Sequence, residues 1–466
     1  MRNKFYITTA IPYVNSRPHI GHALEYVIAD AIHRYRQLVG DEVRLVSGAD
    51  ENALKNVQAA EKAGISVQEF LDKNSKTFED FYKLLEVDLD EFRRGSDQKL
   101  HWPGVTELWK LVEKSGDLYK KKYKGLYCVG CESFKPAKEL VDGKCPDHNT
   151  VPEIVEEENY FFKLSKYQKQ LLKLIETDEY KIVPQKRKNE ALAFVKSGLE
   201  DFSVSRSNER AKGVGVPVPG DPDQKIYVWF DALTIYMTAS GYGYDKKLWG
   251  KWWPADLHII GKDIFRFHAF YWPAMLISAG LPLPKSLLVH GFITSGGRKM
   301  SKTIGNVIDP YEIIEKYGVE ALRYFLLSQI PTLDDGDFTE ERFKEVYNAD
   351  LANGLGNLVA RVTGLAGNKV LGIKNHVSEF SKEVVEAIES YRLNEALAAI
   401  WNRIKKADVL INEKKVWSLN GKDKEKIVQE LLKEVNQIAY DLKPFLPETV
   451  KKIEKQQKGP LFPRLD

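Results

Sequence analysis

The first fifty residues alternate between strand-like and helix-like patterns, and this alternation constrains the fold more than any other feature. Residues 4–10 form a short apolar run that predicts a strand, and residues 22–39 repeat apolar side chains at helical spacing. Residues 42–47 predict a second strand. Strands that alternate with helices indicate a parallel sheet with right-handed crossovers, so we predict an α/β fold with a doubly wound parallel sheet.

Two later changes of pattern divide the rest of the chain. From about Leu118 to about Gly220, long helical patterns give way to short strands and turns that are rich in Lys, Tyr, Gly and Cys. After about Thr339 only amphipathic helices are predicted, such as residues 342–364 and 394–412. The other predicted elements are helices at about 66–85 and 97–115, strands at 226–230, 257–260 and 286–293, and helices through 236 and across 263–279.

Composition excludes several classes of protein. Of 466 residues, 43% are hydrophobic and 29% charged, which is ordinary for a globular protein and argues against disorder. The net charge of +3 neither requires nor excludes a nucleic-acid partner, because binding depends on where the charge lies. No apolar run is long enough to span a membrane, and the N-terminal run lacks a signal-peptide pattern. We expect a cytoplasmic protein without a membrane partner.

The chain has three cysteines, and all of them lie in one short stretch. Cys128 and Cys131 are separated by two residues, 13 residues follow, and then come Cys145 and His148, again separated by two. This spacing supplies four ligands for a tetrahedral metal ion and leaves no open position for catalysis. We predict one structural Zn²⁺ per chain, with unliganded reduced thiols as the alternative.

Two motifs point to phosphate binding. His19-Ile20-Gly21-His22 lies where the first strand turns into the first helix, a place with free backbone N–H groups and a positive dipole end. Gly21 lets a ligand approach the backbone closely. Gly297-Arg298-Lys299-Met300-Ser301-Lys302-Thr303 is a basic glycine-containing loop after a later strand. Alone, such histidines are usually capping or core residues and such a loop is usually surface, but together they predict two clamps on one nucleoside triphosphate.

The two motifs resemble the HIGH and KMSKS signatures of class I aminoacyl-tRNA synthetases. The interval of 277 positions between His22 and Lys299 is too short for the large editing domain of the isoleucyl, leucyl and valyl enzymes. The surrounding segments are similar to the methionyl-tRNA synthetase family, and the similarity covers essentially the whole chain. These segments are Ala10-Ile11-Pro12-Tyr13, Tyr227-Val228-Trp229-Phe230-Asp231-Ala232-Leu233, and His258-Ile259-Ile260-Gly261-Lys262-Asp263-Ile264 followed by His268.

The resemblance implies an aminoacyl-tRNA ligase that uses ATP, with Mg²⁺, to convert L-methionine into methionyl-adenylate. The methionyl group would then pass to the 3′-terminal adenosine of tRNA(Met), including the initiator. Neither step needs an enzyme nucleophile, so catalysis would come from positioning and from stabilisation of phosphate charge. Some relatives carry a C-terminal dimerising module that this chain does not show, so we expect a monomer.

The resemblance also assigns residues to sites. The catalytic residues are His19, His22, Lys299 and Lys302. The ATP site adds Gly21, Glu25, Gly261 and Asp263 to these four. The methionine pocket consists of Ile11, Tyr13, Asp50, Trp229, Ala232, Tyr236, Ile264 and His268. The anticodon site consists of Asn357, Arg361 and Trp417. Aromatic walls suit a thioether, and Asp50 is a natural partner for the substrate ammonium.

By the same resemblance the chain divides into five segments. They are the first half of a Rossmann-like catalytic domain (1–117), a connective insertion with the zinc knuckle (118–220), the second catalytic half with the lysine loop (221–325), a linker (326–350) and an all-α anticodon-binding bundle (351–466).

Some positions depart from the family pattern, and two other functions remain open at this point. Asn52-Ala53 stands where the family often has His-Gly, Arg17 adds an unusual cation to the first motif, and Thr303 replaces a frequent Ser. A paralogue that binds tRNA without catalysis is one alternative, although the intact motifs argue against it. Another HIGH-type nucleotidyltransferase is the second alternative, although such an enzyme needs no helical RNA-binding domain.

Overall fold

A computed structural model describes residues 3–131, 133–135, 137–146, 149–300, 306–367, 377–455 and 459–465. The strands are β1 (Lys4–Thr9), β2 (Glu42–Ala49), β3 (Glu91–Arg94), β4 (Leu118–Cys128), β5 (Ser133–Lys135), β6 (Glu153–Phe162), β7 (Lys181–Val183), β8 (Phe202–Ser203), β9 (Ser205–Ser207), β10 (Pro217–Val218), β11 (Asp221–Ile226), β12 (Leu257–Gly261), β13 (Ser286–His290), β14 (Ile293–Ser295), β15 (Arg298–Lys299) and β16 (Gly336–Asp337).

The helices are distributed along the whole chain. They are α1 (Ile20–Leu38), α2 (Leu54–Ala63), α3 (Val67–Leu84), α4 (Trp102–Lys114), α5 (Gln168–Glu176), α6 (Gln185–Lys196), α7 (Val228–Thr238), α8 (Lys246–Trp252), α9 (Trp272–Ala279), α10 (Pro310–Tyr317), α11 (Val319–Ser328), α12 (Glu340–Val346), α13 (Asn357–Ala366), α14 (Lys382–Glu389), α15 (Leu393–Glu413), α16 (Gly421–Leu442) and α17 (Pro447–Glu454). Two π-helical turns, Phe267–Tyr271 and Tyr347–Gly356, precede α9 and α13.

The main sheet has the strand order β3-β2-β1-β12-β13-β7 among the described residues, and all neighbours are parallel. In register, Thr8 of β1 lies between Val46 and His258. Because the strands are parallel, their carboxyl ends meet at one edge, where an open α/β sheet binds its ligand. The predicted α/β fold is confirmed.

Both faces of this sheet are buried, which explains the nearly continuous apolar sequence of its strands. One face, with Ile7 and Leu45, shares a core with α1, α11 and the C-terminal helices. The other face, with Tyr6 and Val46, packs on α4, α7 and α9. The side chains alternate between the two cores along each strand, as the pleat requires.

The predicted insertion forms smaller antiparallel sheets. β4 and β6 pair from Leu118–Phe162 to Tyr127–Glu153, with β5 and β8 on their outer sides. One element of this segment leaves it: β7 pairs with β13 and forms an edge of the main sheet. The boundaries of the five predicted segments remain predictions. Strand β7 lies within the insertion in the sequence and within the main sheet in the structure, so it joins the two.

Several predicted elements need correction. Residues 226–230 are not one strand, because β11 ends at Ile226 and α7 begins at Val228. The apolar run there is buried on all sides of a helix, and such a run has no periodicity that distinguishes helix from strand. The predicted helix across 263–279 consists of a 3₁₀ turn, a π turn and α9. The strand predicted at 286–293 stops at His290.

A buried ion pair connects the first helix to the C-terminal helices. Arg323 of α11 is fully buried, and its Nη2 lies 2.6 Å from Oδ2 of Asp30 in α1. Its Nε donates to the carbonyl of Phe445 at 3.1 Å, and its Nη1 donates to the carbonyl of Leu85 at 3.0 Å. Such a fully hydrogen-bonded buried charge holds its neighbours in one arrangement.

Within the residues described above, no helix combines the length and the apolar character that crossing a membrane requires.

Candidate functional site

The first helix begins with a pair of histidine caps at the carboxyl edge of the sheet. His19 precedes α1 in an extended conformation, and its Nδ1 accepts a hydrogen bond from the backbone N–H of Gly21 at 3.1 Å. Nδ1 of His22 accepts from the backbone N–H of His19, also at 3.1 Å. The two rings lie 3.8 Å apart between centroids. His19 is therefore the N-cap of α1, and His22 lies in its first turn.

These two contacts determine where each imidazole carries its hydrogen. Because both Nδ1 atoms accept from backbone N–H groups, each neutral ring carries its hydrogen on Nε2. Desolvation of the His19 ring lowers its pKa, and the negative charge of Asp263 opposes this shift. The residue as a whole is exposed. Desolvation also holds the pKa of His22 well below its usual range, helped by His19 and His290. At neutral pH both rings are uncharged donors through Nε2, which suits phosphate oxygens.

A buried histidine–carboxylate pair lies beside this helix start. Nε2 of His290, the last residue of β13, is 3.0 Å from Oε2 of Glu25, and the second oxygen of Glu25 accepts from the N–H of Ala10 at 2.7 Å. Nδ1 of His290 lies 2.7 Å from the carbonyl oxygen of Gly291. Burial alone would lower the pKa of His290, but the hydrogen bond and charge of Glu25 raise it. Both ring nitrogens face acceptors, so this histidine is built to carry a proton on each.

The loop after β12 adds a glycine and a carboxylate to the same place. A Cβ on Gly261 would meet Oδ1 of Asp263 at 2.9 Å and ring atoms of His290 at 3.8 Å. A side chain at this position would therefore displace the carboxylate. Gly261, Asp263, Glu25 and His290 form one cluster with the histidine caps of α1.

Helix α7 presents three predicted pocket residues on one face. Trp229, Ala232 and Tyr236 follow at spacings of three and four residues and are all buried. The ring of Trp229 stacks on Phe267 at 3.7 Å and meets the edge of Tyr13 at 6.0 Å. Aromatic side chains with this geometry form the wall of an apolar pocket.

A neutral histidine forms the floor of this aromatic region. Nδ1 of His268 lies 3.0 Å from the carbonyl oxygen of Ile264, and Nε2 lies 2.8 Å from the hydroxyl of Tyr236. The carbonyl can only accept, so Nδ1 carries the hydrogen and Nε2 accepts from the tyrosine. Burial lowers the pKa of His268 from 6.5 to about 4. The ring is therefore uncharged at neutral pH.

Asp50 and Ile11 lie in the loops that follow the first two strands. Tyr13 and Asp50 form an isolated parallel bridge just beyond the sheet, and the N–H of Asp50 donates to the carbonyl of Pro12 at 2.9 Å. Both Ile11 and Asp50 are buried. The structure thus places the predicted ammonium partner beside Tyr13, whose ring meets Trp229 of α7.

The three cysteines are close enough to share a metal ion. The Sγ atoms of Cys128, Cys131 and Cys145 all lie within 4.8 Å of one another, and those of Cys131 and Cys145 are 3.5 Å apart. Thiolates at this separation fit a tetrahedral Zn²⁺ site. The predicted fourth ligand, His148, lies outside the described residues.

The predicted phosphate-binding lysines are Lys299, which ends β15, and Lys302, which lies between β15 and α10 in the sequence. Residues 301–305, which include Lys302, lie outside the described residues, as does the side chain of Lys299. The flanking elements are β15 and the Asp309-capped start of α10.

The predicted anticodon residues occupy two neighbouring helical elements. Asn357 and Arg361 lie one turn apart in α13, and Arg361 donates to Asp408 at 3.0 Å and to Asn412 at 2.6 Å, both in α15. Trp417 lies in the 3₁₀ turn that follows α15 and is 56% exposed. An exposed tryptophan at the end of a helix offers a flat surface for a base.

Sequence reasoning missed three residues of this region. His290 had a usable signal, because a polar residue that ends a buried strand lies at the ligand edge. Phe267, which stacks on Trp229, had no local signal. Lys55 places its Nζ 3.1 Å from the centroid of the Tyr13 ring and donates to the carbonyl of Gly130, between two of the cysteines, at 3.2 Å. Contacts over such sequence distances leave no local pattern.

Comparisons with known proteins agree with this arrangement. The family profile described as "tRNA synthetases class I (M)" matches residues 5–151 and 137–363. The chain is 41% identical to a methionine–tRNA ligase of Thermotoga maritima, over 97% of this chain and 74% of that protein. It is also 41% identical to a methionine–tRNA ligase of a Nostoc species, over 97% of this chain and 89% of the relative.

Solved structures resemble the chain over nearly its full length. The methionyl-tRNA synthetase of Mycobacterium tuberculosis in complex with methionyl-adenylate superposes with a TM-score of 0.89 at 37% identity, covering 97% of this chain and 93% of that one. Its free form superposes with a TM-score of 0.83 at 33% identity, covering 100% and 99%.

Proposed function

The chain belongs to the methionyl-tRNA synthetase family of class I aminoacyl-tRNA ligases, and we propose that the clusters at the sheet edge divide the adenylation reaction between them. The nucleotide lies over the start of α1, and the amino acid lies against α7. The methionine carboxylate attacks the α-phosphorus, a P–O bond forms, and the bond to pyrophosphate breaks.

The caps of α1 bind the triphosphate in this proposal. Nε2–H groups of His19 and His22 donate to phosphate oxygens, and the fixed Nδ1 contacts hold both rings in place before the substrate arrives. Lys299 and Lys302 close over the β- and γ-phosphates as charge develops, with Lys302 the stronger contributor. Mg²⁺ bound with the triphosphate would neutralise part of its charge.

The cluster of Glu25, Gly261 and Asp263 receives the adenosine. Gly261 leaves room for the backbone to approach the ligand, and Asp263 accepts from a ribose hydroxyl. His290 acts as a positioning residue, because its ion pair holds the Glu25 carboxylate at 3.0 Å while Ala10 holds the other oxygen.

In this proposal the methionine pocket has a charged residue at its ammonium end and uncharged residues at its thioether end. Asp50 attracts the ammonium group at one end, where its own backbone is tied to Pro12. Ile11, Tyr13, Trp229 and Ala232 surround the apolar chain. Ile264, Tyr236 and His268 form the far end, where an uncharged histidine avoids placing a cation beside the sulfur.

Zinc binding at the knuckle is proposed from its donor set. Three thiols within 4.8 Å of one another, together with His148 three residues after Cys145 in the sequence, would hold one structural Zn²⁺ in tetrahedral geometry and fold the loop against Lys55. Elemental analysis of the purified protein is expected to give about one zinc per chain. Absence of zinc at that level would contradict the proposal.

The helical segment is proposed to bind the anticodon of tRNA(Met), including the initiator. Exposed Trp417 offers a stacking surface, and Asn357 and Arg361 offer hydrogen bonds to unstacked bases. The 2′-hydroxyl of the terminal ribose, the class I entry point, then attacks the carbonyl carbon of methionyl-adenylate, so that an ester bond forms and the bond to AMP breaks.

One observation supports this function most strongly: the histidine caps, the Glu25–His290 cluster and the aromatic pocket all lie at the same sheet edge. ATP–pyrophosphate exchange with each of the twenty amino acids tests it directly. Exchange with methionine alone is expected. Exchange with a different amino acid would contradict the substrate, and no exchange at all would contradict catalysis.

A further inference from the structure

The departure from the family pattern at Asn52 corresponds to a specific contact. Nδ2 of Asn52 donates to the carbonyl of Gly95 at 2.9 Å and to Oδ2 of Asp231 at 2.6 Å. Both partners can only accept at these atoms, so the orientation of the amide is determined by its neighbours. The two hydrogens of one amide thus join the loop after β2 to two other segments.

The acceptor Asp231 is buried and lies in the first turn of α7. It is 1% exposed, and its second oxygen lies 2.7 Å from Nε2 of His101 at the start of α4. Nδ1 of His101 lies 2.8 Å from the hydroxyl of Thr238 near the end of α7. Removal of a donor from a buried carboxylate leaves that oxygen without compensation, which is costly.

The loop that carries Asn52 also carries Asp50. Between them, buried Glu51 accepts from Nε of Arg94 at 2.8 Å and from the N–H of Ser96 at 2.9 Å. This ion pair attaches the loop to the end of β3. Asn52 attaches the same loop to α7, which carries Trp229, Ala232 and Tyr236.

We infer that Asn52 is a positioning residue that sets the distance between Asp50 and the face of α7, and thereby the fit of the amino acid. The inference rests on the proposed methionine pocket. A neutral amide donates two hydrogen bonds, whereas the imidazole common in the family donates two only when it is charged. This chain therefore makes the bridge without adding a cation next to the ammonium site.

The inference is tested with Asn52→Ala in the full chain. The KM for methionine in ATP–pyrophosphate exchange is expected to rise about tenfold, because a small shift of a positioned group has a large effect on binding. The KM for ATP is expected to change less than about twofold, since the nucleotide cluster does not include this bridge.

A matched control separates positioning from stability. Asn348 also bridges two segments, donating to the carbonyl of Leu465 at 3.1 Å and accepting from its N–H at 2.9 Å, away from the pocket. Asn348→Ala is expected to lower the melting temperature without changing the KM for methionine. If Asn52→Ala gives the same pattern as this control, the inference is wrong.

A second variant decides the case in which Asn52→Ala does not fold. Asn52→Ser retains one hydroxyl donor and is expected to raise the KM for methionine by less than the roughly tenfold increase expected of the alanine variant. An unchanged KM for methionine overturns the inference. Absence of methionine-dependent exchange in the unaltered chain would instead contradict the proposed function.

Discussion

Two buried histidines beside the same sheet edge have pKa values that are shifted in opposite directions. His290 faces the Glu25 carboxylate and a carbonyl oxygen, which favours the imidazolium. His268 faces a carbonyl and a tyrosine hydroxyl, and burial lowers its pKa to about 4. The difference follows from partners and not from depth, since both side chains are buried. The nucleotide side therefore includes a buried charged pair, whereas the thioether end of the amino-acid pocket consists of uncharged polar groups.

The largest effect is expected on the charged side. Lys302→Ala should lower kcat for ATP–pyrophosphate exchange about a thousandfold, because its contact with phosphate oxygens strengthens in the transition state. The KM for methionine should remain nearly unchanged. Lys316→Ala is the control, because Lys316 lies in α10 and pairs with Glu340 at 3.5 Å. Loss of methionine affinity with an intact kcat would show that the lysine does not belong to the charged side.

Neutralising the buried pair should have the next largest effect. Glu25→Gln removes the charge that raises the pKa of His290, so kcat/KM for ATP should fall about a hundredfold. Methionine affinity should change little. Glu320→Gln serves as the control, because Glu320 is a buried carboxylate that caps α17 through Thr449 at 2.7 Å. If Glu25→Gln lowered kcat/KM for ATP and the affinity for methionine equally, the nucleotide side and the amino-acid side would not be distinct.

A third substitution should leave both sides intact. Trp417→Ala removes one stacking surface, so kcat/KM for tRNA should fall about tenfold while ATP–pyrophosphate exchange is unaffected. Val409→Ala, which shortens another exposed apolar side chain of the bundle, is the control. Intact aminoacylation by the tryptophan variant would exclude an anticodon role for Trp417.

A further prediction concerns the dependence of stability on pH. The folded protein keeps His268 neutral down to about pH 4, whereas the unfolded chain takes up this proton near 6.5, so acid favours unfolding across that window. The contribution amounts to about 3 kcal/mol of lost stability between the two values. Urea unfolding of His268→Phe should therefore depend less steeply on pH between 6.5 and 4.

His290 gives the opposite sign and supplies the control. Its pKa is raised in the folded protein, so its contribution is present below the unfolded value of 6.5 and is lost as the pH rises through the folded pKa. His290→Gln should change how the free energy of unfolding depends on pH above 6.5 and leave its pH dependence between 6.5 and 4 as it was. If the free energy of unfolding of His268→Phe depends on pH between 6.5 and 4 as steeply as that of the unaltered chain, His268 is not neutral in the folded protein.

The sequence predicted the first strand, first helix and second strand closely because the spacing of their apolar residues determined them locally. It did not predict β3, α2 or the membership of β7 in the main sheet, since short edge strands depend on distant partners. The site residues came from motif resemblance. Their hydrogen-bond directions came only from the structure: the cap role of His19 and the Glu25–His290 pair require atoms that the chain brings together over long intervals.

The Asp30–Arg323 pair has a consequence for how the molecule opens. Because α1 shares both this pair and a continuous apolar core with the C-terminal helices, we expect amide hydrogens of α1 and α15 to exchange through a common opening. The carbonyl of Phe445, immediately before α17, accepts from the same guanidinium. We therefore expect α1, which begins at the histidine caps, to resist fraying of α17, so that these two helices open as one cooperative unit.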